Sequence, residues 1–503
     1  MMKKIKNNIT LLNSVSSLLL QLLTIISGFI IPKLILNTFG SEVNGLVSSL
    51  NQFLGYINLL EGGVTGVITA SLYKPIVQKN KEKVSSILKT TNKFYKKISV
   101  IFIIYSVGLA IVYPFLFKTN FSYQYIFSLT LILSITLFIQ YMFSLSLRTL
   151  LIADKKVYIV SFVQIIILIL NVTLFYIIIK IFPNIHILKL VTGMLYIIQP
   201  LVFNKVVNKY FDIDKNAKED STLLKSRWDG FAINIAYFVH SNTDVTVLAL
   251  ITNLKVVSVY AVYSLVTTGI KKLISAFSSG IAPTMGTLYA KGDKNELNNK
   301  FELYEYTMFM LAFFFFAVGA LLITPFVQIY TKNIVDVNYN QFALGILLMI
   351  AEGIYCIRDP YVNLSYSANK FKDLKCPAYI EAVLNIVISI ILVFKFGVIG
   401  VAIGTLIAMT YRTLFHVFYF KKNVLNRPVK IFFKKIVLFS ISTGLGIFIC
   451  GFFLPCTGLS IINWCVKAII YSLIIGLLLL TTSFVFFKED LRYFMKKYFK
   501  VNI

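Results

Sequence analysis

The chain has 503 residues, of which 57% are hydrophobic and 14% charged, and its formal net charge is +28. A water-soluble protein carries about 25% charged residues, so a mean hydropathy of +0.79 excludes a soluble globular enzyme and points to a chain that crosses a membrane repeatedly. Five cysteines are too few and too scattered for a disulfide framework; Cys456 and Cys465 flank one short loop, and apolar filler is the stronger reading.

In chain order, "MMKKIKNNITLLNSVSSLLLQLLTIISGFII" places three lysines before a long apolar segment without a small-residue cleavage site, which predicts a retained first span. An apolar run of about 18 residues or more suffices to cross the hydrocarbon core. About fourteen such spans follow one another, centred near Leu20, Leu54, Tyr105, Thr136, Leu168, Tyr196, Val239, Leu265, Phe315, Ile350, Val387, Ile407, Ser442 and Ile475. With both termini placed in the cytoplasm, alternation leaves only Lys33, Lys118, Lys180, Lys189, Lys255, Lys332, Lys395 and Lys467 outside. Basic residues gather on cytoplasmic loops, so most of the positive charge is an orientation signal. It does not indicate a nucleic-acid partner.

The polar stretch "NKYFDIDKNAKEDSTLLKSRWDG" (Asn208 to Gly230) reads as a linker between two bundles. Short segments recur at nearly one spacing: "SLYKPIVQKNKE" with "TLYAKGDKNE", "IADKK" with "SANKF", "ILNV" with "VLNI". Each unit holds six spans, an even number, so the copies run parallel, as in many carriers. The predicted fold is all-α and polytopic, with two parallel six-helix bundles plus two C-terminal helices. Its parts are a first bundle over 1–207, a cytoplasmic linker over 208–227, a second bundle over 228–422, and helices 13 and 14 with a cytoplasmic tail over 423–503.

A polar side chain in hydrocarbon is costly and faces a bundle interior or a wet cavity. Span one carries Asn13, Ser17, Gln21, Thr24 and Gly28, and span two carries Asn44, Ser48, Asn51, Gly55, Asn58 and Gly62. Span eight carries Ser264, Thr267, Lys271, Ser275 and Ser278. All three stripes have helical spacing. Packing by small residues explains the serines and glycines, whereas Asn51, Asn58 and the lysine favour a hydrated cavity. Lys271 and Lys272 are adjacent mid-span and point about 100° apart. Either is an anchor for a diphosphate or half of an ion pair, for instance with Glu61. Arg358 and Arg412 are each read as facing the cavity or the interface, and a kink at Pro360 is expected to aim Arg358 inward. Glu352 is mid-span, whereas Glu381 reads as a solvated helix start. In span seven, His240 and Asp244 share one helix face. Asp244 has three roles open to it: pairing with Lys271 or Lys272, binding a cation, or carrying a proton. The lysine pair ranks slightly ahead.

Three stretches, "IIPKLILNTFGSEVNGLVSSLNQFLGYINLLEGGVTGVITASLYKP", "SNTDVTVLALITNLKVVSVYAVYSLV" and "YIEAVLNIVISIILVFKFGVIGVAIGTLIAMTYRTLF", resemble Gram-positive members of the polysaccharide-exporter branch of the MOP superfamily, the Wzx-type flippases. The resemblance implies two six-helix bundles around a positively charged lumen. It also implies transfer of an undecaprenyl-diphosphate-linked oligosaccharide from the inner to the outer leaflet of the cell membrane, for capsule or exopolysaccharide assembly. The lipid-linked glycan and membrane lipids are then the ligands, and a polysaccharide polymerase and glycosyltransferases the working partners. In that family lumen arginines and lysines contact substrate, which here singles out Lys271, Lys272, Arg358 and Arg412. No cofactor is expected, and coupling to H+ or Na+ stays open.

Two rival readings remain. A cation-coupled drug exporter of the same superfamily typically has an ion-binding acid in its first span, and span one here has none; a peptidoglycan-precursor flippase is the nearer variant. An integral membrane glycosyltransferase or polymerase needs catalytic groups on sizeable outside loops, and the outside loops here are short. No nucleotide loop, metal cluster or nucleophile triad is present in the sequence, so the chain reads as a carrier rather than an enzyme.

Overall fold

The computed structural model describes residues 2–61, 64–117, 120–214, 216–220, 223, 242–368, 370–425, 427–456 and 460–498. The regular structure is helical throughout the described residues. The chain divides into two compact units. The first comprises Met1–Phe238 with Thr252–Val257, the second Val239–Ile251 with Ser258–Ile503.

In the first unit, α1 (Met2–Leu54) continues through a tight turn at Gly55–Ile57 into Asn58–Glu61. The two spans expected near Leu20 and Leu54 both lie in this run. They are separated only at Gly40, whose φ of 82° is in the left-handed region that glycine enters without a Cβ clash. There follow α2 (Val64–Val77), α3 (Lys81–Leu116), α4 (Tyr123–Ile139), a π-turn (Gln140–Ser144) and α5 (Leu145–Ala153). The unit continues with α6 (Val157–Ile181), α7 (Ile185–Met194) and α8 (Ile198–Tyr210). Asn80 caps α3 by accepting Lys83 N–H at 2.9 Å, which satisfies one of the donors a helix start leaves open. Asn13, expected in a cavity stripe, instead ties α1 to the α5–α6 turn: it donates to Lys155 O and accepts from Tyr158 N, both at 2.9 Å.

After α8 the chain forms a strap, described over 211–214 and 216–220, that lies along α3. Lys81 pairs with Asp212, Lys83 with Asp220 and Lys93 with Glu219, each at 2.8 Å. Asp214 N–H donates to Ser85 Oγ at 3.0 Å and Asp220 N–H to Thr90 Oγ1 at 2.8 Å. Exposed ion pairs contribute little singly; the two backbone bonds fix the register of the strap.

The second unit runs through α9 (Asn242–Ile251), α10 (Leu254–Lys291, largely in this unit), α11 (Lys294–Tyr330), α12 (Phe342–Ser367), α13 (Phe371–Phe396) and α14 (Val398–Asn423). It ends with α15 (Lys430–Phe453), α16 (Ile461–Phe486) and a short α17 (Lys488–Tyr498). α13 and α14 pack closely. A Cβ at Gly404 of α14 would lie 2.8 Å from Ser389 N of α13 and closer still to its Oγ. Absence of that one carbon lets the backbones meet. α15 and α16 are held to α11 through buried Leu322, Cys450 and Tyr471, with Trp464 Nε1–H donating to Leu322 O at 3.0 Å.

Ten helical segments among the described residues are long and apolar enough to cross a membrane, and the protein is a multi-pass membrane protein. α10 and α12 are not among those ten, although they have 38 and 26 residues. They carry the charges that make a span less apolar: Lys271 and Lys272 on α10, Glu352, Arg358 and Asp359 on α12.

Candidate functional site

Charge concentrates where α10, α12, α13 and α14 meet in the second unit. Lys271 Nζ lies 2.9 Å from Glu352 Oε2 and 4.6 Å from the centre of the Tyr355 ring. Both charged side chains remain partly accessible, at 20% and 15%. Lys272 is exposed, on a face about 100° away. Of the two lysines, Lys271 therefore faces its own bundle.

Two turns further along α12, Arg358 Nη1 bonds Glu381 Oε1 of α13 at 2.6 Å. Arg412 Nη1 of α14 stands 3.8 Å from the other oxygen of Glu381. The exposures are 5% for Arg358, 7% for Arg412 and 5% for Glu381. Arg358 Nε is buried without an acceptor among the described residues. Two guanidinium groups thus approach one carboxylate inside the unit. Glu381 corrects an expectation: it is not a solvated helix start but the acid that holds both arginines. The missed signal is its spacing, because Glu381, Asn385 and Ser389 recur every fourth residue on one face of α13. α12 runs through Pro360 as one helix, and Arg358 is turned to Glu381 of α13.

Asp244 of α9 is 6% exposed. Tyr260 donates to its Oδ2 at 2.5 Å and Thr405 Oγ1–H to the same oxygen at 2.7 Å. Asn385 Nδ2–H reaches Oδ1 at 3.4 Å and Thr405 Oγ1 at 2.9 Å. Lys271 lies about three turns beyond Tyr260 on α10 and pairs with Glu352, so the lysine expected for Asp244 is engaged elsewhere. Asn385 Oδ1 is buried with no donor among the described residues. A buried carboxylate beside an orphaned carbonyl oxygen can accept a proton or a small monovalent cation. His240 lies outside the described residues.

In the first unit, Asn51 and Asn58 are both exposed. Asn58 Oδ1 accepts from Tyr141 at 2.7 Å, and Glu61 accepts from Tyr141 at 3.3 Å and from Thr65. Glu61 is thus held by hydroxyls of its own unit.

A second ion cluster in the second unit was not foreseen. Glu305 of α11 and Lys435 of α15 have fully buried side chains 3.1 Å apart, and Arg427 Nη2 reaches Glu305 Oε2 at 2.8 Å. Tyr361 donates to the same carboxylate. Lys435 reads from sequence as an ordinary cytoplasmic-edge lysine, yet it shares a helical face with buried Phe432 and Phe439.

No family model matches the chain, and no curated protein matches it in sequence. Solved structures do match. A lipid II flippase, MurJ, in an inward closed conformation superimposes with a TM-score of 0.71 at 16% identity, covering 96% of this chain and 100% of its own. The MATE multidrug transporter DinF-BH gives 0.60 at 15% identity over 82% of this chain and 96% of its own. An inward-facing MATE family transporter of the MOP superfamily gives 0.59 at 13% identity over 82% and 99%. The chain has the fold these carriers share.

Proposed function

We propose that the chain is a MOP-superfamily carrier of the Wzx type. It moves undecaprenyl-diphosphate-linked oligosaccharide units from the inner to the outer leaflet by alternating access, and is not an enzyme. The observation that carries this reading is the cation cluster on α10, α12 and α14, with Lys271 paired to Glu352 yet still partly accessible. A diphosphate outcompetes a single carboxylate for an ammonium group because it brings more charge and more acceptor oxygens. Lys271 then transfers from Glu352 to the substrate, and exposed Lys272 supplies a second cation. Arg358 and Arg412, buried and gathered on Glu381, lie behind that pair and do not touch the ligand in this reading. Support also comes from coverage: the lipid II flippase matches 96% of this chain, whereas the two MATE structures match 82%.

In this reading the termini are cytoplasmic and the protein sits in the cell membrane. Its product passes to a polysaccharide polymerase, and its substrate comes from glycosyltransferases. Asp244, with Thr405 and Asn385, takes the H+ or Na+ that resets the carrier.

The test is flipping of purified lipid-linked glycan by the protein in proteoliposomes. Absence of flipping refutes the reading. The second reading, a cation-coupled drug exporter, draws on the buried Asp244 group and the MATE likeness; it requires gradient-driven efflux of an organic cation and no glycolipid flipping.

A further inference from the structure

The first unit holds a cavity of about 1000 Å³ walled by α3, α4, the π-turn, α5 and α8, at the upper end of the ~300–1,000 Å³ range of ligand pockets. Its walls differ in chemistry. Lys89, Asn92 and Lys96, at steps of 3 and 4 on α3, line one side. Phe138, Met142, Phe143 and Leu201 line the rest, and Phe143 and Leu201 are 49% and 66% exposed. The apolar wall therefore runs out onto the lipid-facing surface of the helices. The π-turn widens the helix beside this wall, a distortion that clusters at functional sites.

We propose that this cavity binds an anionic glycerophospholipid of the cytoplasmic leaflet. Its phosphate lies at Lys89 and Lys96, and its acyl chains run along Phe138, Met142 and Leu201. Charge selects the ligand. Lys93, next to the lining residue Asn92 but outside the lining, is held by Glu219 of the strap at 2.8 Å, whereas Lys96 has no ion pair among the described residues. Asp214, the acid in the lining, turns its Oδ1 to Asn216 N–H at 2.8 Å within the strap. Basic pockets between membrane helices on the cytoplasmic side hold anionic headgroups in this way. Lys89 and Lys96 are about 10 Å apart along α3, a separation that two long, flexible lysine side chains close around one phosphate. The site lies wholly in the first unit and does not depend on the carrier reading of the second.

The test is native mass spectrometry of the full-length protein released from nanodiscs of phosphatidylcholine containing increasing phosphatidylglycerol. Phosphatidylglycerol is expected to be retained in preference to phosphatidylcholine. Lys89→Gln/Lys96→Gln lowers its retention by about fivefold for each lysine removed. Leu201→Trp, which fills the exposed wall and removes no charge, lowers retention of both lipids. Lys74→Gln, an exposed lysine outside the cavity, leaves retention as in wild type. Equal retention of the two lipids by wild type, or unchanged phosphatidylglycerol retention in the double variant, overturns the proposal. So does displacement of bound phosphatidylglycerol by equimolar undecaprenyl diphosphate, which assigns the cavity to that lipid instead.

Discussion

Lys271 Nζ stands 2.9 Å from Glu352 Oε2 across the α10–α12 contact, and both side chains are still partly reached by solvent. A fully buried pair would be locked by the cost of exposing either charge. A partly accessible pair can exchange one partner for another. Lys271→Ala is expected to lower glycolipid flipping by tenfold or more, since bonds to charged groups are worth about 1.5–3 kcal/mol. Lys272→Ala has a smaller effect, and Glu352→Gln retains activity. Wild-type flipping rates in a Lys271→Ala/Lys272→Ala variant would remove both lysines from substrate contact.

Asp244 gathers Tyr260, Thr405 and Asn385 about one carboxylate. If it takes an ion, Asp244→Asn loses the response of transport to imposed proton or sodium gradients while the protein stays folded. Tyr260→Phe removes one donor, leaves the charge, and lowers stability by about 1 kcal/mol. Transport by Asp244→Asn that still follows either gradient sinks the coupling role.

The Glu305–Lys435–Arg427 cluster behaves differently, because Glu305 and Lys435 are fully buried. Removing one partner leaves a charge without compensation, which costs about 3–5 kcal/mol. Lys435→Met is therefore expected to lower the melting temperature in detergent sharply. Adding Glu305→Gln to that variant restores part of the loss. A melting temperature in Lys435→Met equal to wild type contradicts the assignment.

Asp490 opens α17 beyond the last span and sits 4.0 Å from Lys435. Burial pushes its carboxyl up to about 6, against the pull of the Lys435 and Arg427 charges. The folded state thus keeps this proton over a pH range in which the unfolded chain has lost it. Stability from this group is present at low pH and falls as pH rises from about 4 to about 6. Docking of α17, followed by hydrogen exchange of its amides, is expected to loosen across that window and to become pH-independent in Asp490→Asn. Exchange that slows as pH rises through the window, after correction for intrinsic rates, contradicts it.

Much of the architecture is legible in the sequence because spans are local. Apolar length and basic flanks identify them one at a time, and the stripe through Ser264, Thr267 and Lys271 follows from helical spacing alone. Pairings are less legible. Asp244 and Thr405 meet from helices 161 residues apart in the chain, and nothing in "VHSNTDV" specifies which distant hydroxyl arrives. Glu381 misleads because its neighbours along the chain are near a span edge, while its partners Arg358 and Arg412 come from two other helices. Gly40 escapes notice for a related reason: one residue with a left-handed backbone takes the place of a loop.

The contact between Gly404 and Ser389 reaches beyond packing. Gly404 precedes Thr405, and Ser389 lies one turn from Asn385, so the gap at this crossing sets the 2.9 Å bond between those two side chains. One extra methyl group here acts as a wedge, prising Asn385 and Thr405 away from Asp244 while leaving every polar atom in the sequence unchanged. In the proposed coupling role, the affinity of that acid for an ion would be calibrated by the thickness of a residue that has no functional group of its own.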